Sequence, residues 1–157
     1  MNENSDQQRS WVDLLAVVIA FSGAIISIGG ALFTYFYQAQ MAITPLWTLP
    51  GLVLLDWVFL GTIGFLSAYF TIRKSSARWL RITWFNTGTF IPLIILGAFS
   101  IGSLVLIAFL LFVISTGIVA VRYDSKWLES FGLLLLGSFI NLGILLLIIT
   151  LANQGKT

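Results

Sequence analysis

Five apolar runs follow one another along this chain, separated by short polar breaks. A helix needs about 20 consecutive apolar residues to cross the hydrocarbon core of a bilayer. Each run is of that order, and no other feature narrows the possible folds as sharply. The charge content agrees. The 157 residues are 59% hydrophobic and 9% charged, with mean hydropathy +1.01. A soluble domain carries about 25% charged residues, so this chain has too little charge to cover a water-facing surface. The sequence therefore predicts an all-α integral membrane protein, a single bundle of five transmembrane helices.

Residues 1–10 (MNENSDQQRS) are polar and are expected to form a short disordered cytoplasmic tail. Ser10-Trp11-Val12-Asp13 resembles a capping box opening the first helix, with Asp in place of Glu. The spans are expected near 11–37, 50–72, 80–98, 104–121 and 127–151, all within one domain 11–151, followed by a polar tail 152–157. The first run is too long for a signal-peptide core and is read as retained. Leu80 to Val121, roughly 42 residues, accommodates two spans joined by a tight hairpin. Pro92 lies inside the third span and should kink it by freeing the carbonyl of Gly88.

Basic residues orient the bundle. Cytoplasmic loops are enriched in Lys and Arg. Five spans with the N-terminus in the cytoplasm place Arg9, Arg73, Lys74, Arg78, Arg81, Arg122 and Lys126 inside and Lys156 outside. The C-terminus is then external. Trp11, Trp79, Trp84, Tyr123 and Trp127 fall at the inner boundary, and Tyr35, Tyr37 and Trp47 at the outer one. The expected location is a membrane, with a prokaryotic plasma membrane as the reading of the retained first span. The net charge of +2 follows membrane topology and does not argue for nucleic acid.

Several chemistries are excluded by residue type. The chain has no His and no Cys, the usual ligands of haem, iron–sulfur clusters, copper and zinc. Cysteine nucleophiles, disulfides and histidine acid–base catalysis are absent with them. Lys74, Lys126 and Lys156 lie in flanks or tails, away from where a retinal Schiff base would form. Neither a paired-Asp protease motif nor a glycine-rich phosphate loop is present. The expectation is a non-enzyme with no metal and no cofactor.

Two constellations remain. The first span carries a seam of small residues, Ala16, Ala20, Gly23, Ser27, Ala31 and Thr34, which lets a neighbouring helix approach closely. That neighbour is either another subunit or another helix of the same bundle. The second constellation is polar. Asp56 is the one acid deep inside an apolar run, where an ionisable group marks a functional site by default. On its span Asp56 shares a face with Leu60, Ile63 and Ser67, beside a strip of Gly61, Gly64 and Ala68. Counting depth from opposite sides puts Asp56 level with Asn141 on the fifth span, near mid-membrane. Asn86 and Thr89 face inward from the third span. These four residues form the expected intramembrane polar site.

The functional expectation is a small non-catalytic membrane protein acting as a subunit or accessory component of a larger membrane complex. Its partners are the lipid bilayer and either other membrane subunits or further copies of itself. The alternative is a small oligomeric transporter or proton-coupled permease with Asp56 as the coupling carboxylate. Asp13 and Glu129 are set aside as first-turn carboxylates favoured by the helix dipole. Arg78, Arg81 or Arg122 could pair with Glu129 or with anionic headgroups.

Overall fold

A computed structural model describes residues 3–41, 49–97, 102–123 and 126–154. All of the regular structure there is helical: α1 (Glu3–Met41), α2 (Leu49–Lys74), α3 (Ala77–Gly97), α4 (Gly102–Arg122) and α5 (Trp127–Gln154). All five contain a segment long and apolar enough to cross a membrane, as the hydropathy of the sequence predicts. Trp47 and the C-terminal residues 155–157 lie outside the described residues.

Two expectations at the N-terminus are corrected. Helix α1 begins at Glu3, so the segment expected to be a disordered tail is largely helical, and Ser10 lies inside the helix instead of capping it. Nothing in Glu3–Ser10 breaks a helix: there is neither Pro nor Gly. Asp13 is consequently three turns into α1, too deep for a first-turn dipole effect. It forms an ion pair with Arg122 at the end of α4. Glu129 does lie in the first turn of α5, and it pairs with Arg81 Nε at 2.6 Å.

Helices α1 to α4 form a closed ring of neighbours. α1 packs on α2 and α4, and α3 packs on the same two helices from the opposite side. α5 stands outside that ring. It docks heavily on α3, touches α2 lightly, and makes no contact with α1 or α4 among the described residues. The ring is filled by large side chains, with Trp57, Phe90, Leu93, Val105 and Phe112 almost fully buried. Phe90 and Phe112 meet across α3 and α4 with ring centroids 5.2 Å apart.

The small-residue seam of α1 is consumed within this ring. All six of its members are buried. Gly23 lies against Leu111 and Phe112 of α4, and Ser27 lies against Gly61 of α2. Gly30, one turn on, accepts the tip of the Trp57 indole where any larger residue would collide with it. Two hydrogen bonds tie the interfaces. Ser27 Oγ donates to the Trp57 carbonyl at 3.1 Å, and Ser115 Oγ donates to the Ala16 carbonyl at 2.8 Å.

The charged end is tied together differently. α2 closes on Arg73 and Lys74, cations that favour the negative end of the helix dipole. The chain reverses through Ser75, whose φ of 47° is left-handed. Tyr123, just beyond α4, donates its hydroxyl to Ser75 Oγ at 3.2 Å. With the Arg122–Asp13 and Arg81–Glu129 pairs, this brings one end of all five helices together. Lys74 lies over the rings of Phe70 and Trp79 at 5.0 and 5.9 Å.

Candidate functional site

The polar residues expected from three different spans meet where α5 crosses α3. That crossing depends on a defect. Pro92 has no N–H, so the Gly88 carbonyl one turn back loses its helical donor. In lipid an unsatisfied carbonyl costs several kcal/mol. Ser138 of α5 supplies the missing donor, with Oγ 2.8 Å from the Gly88 carbonyl. The same hydroxyl lies 3.0 Å from its own Leu134 carbonyl. Close approach is needed for this, and glycines on both helices provide it. A Cβ on Gly88 would run into the backbone of Leu134, and one on Gly137 into the backbone of Phe85.

Asn141, one turn beyond Ser138, extends the repair. Its Nδ2 donates to the Thr89 carbonyl at 2.7 Å. Thr89 in turn donates Oγ1 to the Asn86 carbonyl at 2.6 Å, and Asn86 Nδ2 reaches the Leu60 carbonyl of α2 at 3.1 Å. Asn86, Thr89 and Asn141 are all buried. Thr89 therefore serves the site through its backbone, while its hydroxyl is spent inside α3.

Asp56 completes the group from α2. Its carboxyl accepts a side-chain hydrogen bond from Asn141. Along α2, Asp56 is seven residues from Leu49, about 10 Å from the uncharged end of the helix. That is nearer to the helix midpoint than to the end. Asp56 is half-buried, but its Oδ2 is enclosed and has no hydrogen-bond partner among the described residues, as is also true of Asn141 Oδ1.

Further polar contacts were not singled out from the sequence. Thr71 meets Thr83 at 3.4 Å between α2 and α3, and Thr87 meets Thr116 at 3.3 Å between α3 and α4. Each of these threonines except Thr116 also donates to the carbonyl four residues back in its own helix. The indole N–H of Trp57 is buried without a hydrogen-bond partner among the described residues. Elsewhere, an open apolar groove between α1 and α2 is lined by Phe21, Ile25, Ile28, Gly29, Thr62 and Phe65.

The arrangement can hold a carboxyl and an amide in contact within an apolar bundle. Among the described residues no group of three or more His, Cys, Asp or Glu converges on one point. Asp13 and Glu129 are occupied by arginines at the charged end. No family model matches this chain, and no similar curated protein or solved structure was found.

Proposed function

We propose that this protein is a non-catalytic component of a larger membrane assembly, and that α5 is the helix through which it joins its partner. The observation that carries this reading is the position of α5 outside the four-helix ring, with an outward face that nothing among the described residues covers. Leu128, Gly132, Leu136, Phe139 and Gly143 follow one another at steps of four and three residues along that face, and all are exposed. A Cβ built on Gly132 or Gly143 meets no atom within 4 Å. Lipid tails gain nothing from a glycine, whereas a neighbouring helix gains a close backbone approach. The six-residue seam of α1, by contrast, is already filled from within.

In this reading the charged end of the bundle faces the cytoplasm, and the partner is another membrane polypeptide. The mass and composition of the particle extracted from its native membrane into nanodiscs test it. Other polypeptides in fixed ratio are expected. Gly132→Leu and Gly143→Leu should leave the isolated chain folded, because both positions have open space, and should strip the partner away. A monodisperse particle containing this chain alone would overturn the proposal.

A second reading, a small oligomeric transporter or proton-coupled permease, is favoured by one observation: the contact between Asp56 and Asn141 across α2 and α5. It expects Asp56→Asn to abolish pH-dependent flux in proteoliposomes while the fold survives. Unchanged flux would remove it.

A further inference from the structure

Two features on the α1–α2 side of the bundle line up. The first is the open groove of about 330 Å³ between these helices. Its lining offers hydrocarbon alone: the single polar side chain, Thr62, donates its hydroxyl to the Val58 carbonyl at 2.9 Å. Gly29 keeps the groove open, since a Cβ there meets no atom within 4 Å. The second feature is a pair of cations at the end of α2. Arg81 and Arg122 have carboxylate partners, whereas Arg73 and Lys74 are exposed and have none among the described residues. Contacts along α2 connect the two features. The Phe65 ring lies 5.3 Å from that of Phe21 on α1 and 6.2 Å from that of Tyr69, centroid to centroid. The Tyr69 hydroxyl accepts from Arg73 Nη1 at 2.8 Å, and the guanidinium lies over the same ring. Most guanidinium donors stay free, and their planar fork suits a phosphate.

We propose that this side of α1 and α2 binds one anionic phospholipid, with an acyl chain in the groove and the headgroup phosphate on Arg73 and Lys74. The lengths agree. Thr62 is eleven residues from Arg73, roughly 16 Å along the helix. One leaflet of hydrocarbon is about 15 Å deep. The groove therefore sits where the far half of an acyl chain falls when its headgroup is level with the cations. A polar solute would find no hydrogen-bond partner in that lining and would lose its hydration on entering. Charge selects the class of lipid. A zwitterionic headgroup brings its own cation, whereas an anionic one supplies the negative charge that Arg73 and Lys74 lack. The site lies on α1 and α2 and the proposed partner face on α5, so either proposal can fail alone.

Native mass spectrometry of the full chain, released from nanodiscs of equal parts phosphatidylglycerol and phosphatidylcholine, tests it. One phosphatidylglycerol retained per chain, in preference to phosphatidylcholine, is expected. Arg73→Gln and Lys74→Gln should each lower that preference about fivefold. Gly29→Leu fills the groove from an open position and should reduce the retained lipid while helix content stays unchanged. Should that variant fail to fold, a phosphatidylglycerol with a photoreactive group near its acyl terminus should crosslink the unsubstituted chain at Ile25, Ile28 or Thr62. Retention of both lipids in proportion to supply overturns the proposal. So does retention that Gly29→Leu leaves unaltered, which would assign a headgroup site alone. Crosslinks spread over all five helices overturn it too, as does a retained polypeptide that Gly29→Leu displaces, which would assign the groove to a protein.

Discussion

Glycines in this protein fall into two kinds that sequence alone does not separate. Gly88 and Gly137 lie against backbone atoms of the facing helix, which cannot rotate aside. Gly132 and Gly143 face open space. Gly88→Ala should therefore destabilise the chain by about 1–3 kcal/mol, the usual range for overpacking. Gly132→Ala should stay within about 0.5 kcal/mol in the isolated protein. Unfolding in mixed detergent, followed by circular dichroism, measures both, and equal effects would contradict the α3–α5 geometry. Asp56 was legible because one acid in an apolar run stands out, and its level with Asn141 followed from counting residues. The Thr71–Thr83 and Thr87–Thr116 contacts were not legible. Threonine in a membrane helix satisfies itself on its own backbone, so its presence alone gives no sign of which threonines also reach across.

Among the elements, α3 is the most dependent on its neighbours. Pro92 pointed from the sequence to a stranded Gly88 carbonyl. It did not reveal the donor, which comes from a helix more than forty residues away. Ser138→Ala should cost about 0.6 kcal/mol, the average for interhelical polar contacts in membranes. In a Pro92→Ala background the restored N–H can serve Gly88, so the same serine substitution should cost less. A double-mutant cycle on unfolding free energy reads the difference, and strictly additive effects would show that Ser138 does not repair the proline. The element boundaries were close to expectation for α2 to α5. α1 was misjudged because polarity was equated with disorder, and a polar segment without Pro or Gly can continue a helix that has already nucleated.

At the scale of the whole molecule, the five helices long and apolar enough to cross a membrane were readable because a bilayer sets a minimum length for such a helix. The order of neighbours was not. Hydropathy is lower in α3 than in α4 but does not set α5 apart from the ring, and which four close the ring depends on matching of small and large residues, as at Gly30 and Trp57. The gathering of Arg73, Lys74, Arg78, Arg81, Arg122 and Lys126 at one end makes a directional prediction. The chain has no cysteine, so Lys126→Cys and Lys156→Cys each report without background. In intact cells an impermeant thiol reagent should label position 156 and spare position 126. The reverse pattern would invert the bundle.

The repair of α3 by α5 also bears on how the protein is made. A ribosome delivers α3 to the membrane well before α5, and domains form in order of synthesis. During that interval the Gly88 carbonyl must be satisfied by water, by a neighbouring chain or by the insertion machinery, since hydrocarbon offers no donor. α5, which emerges after α3, is the helix that completes it. A chain truncated before Ser138 would hold an intact hydropathy profile and an unfinished interior, which is the kind of product that membrane quality control is placed to remove.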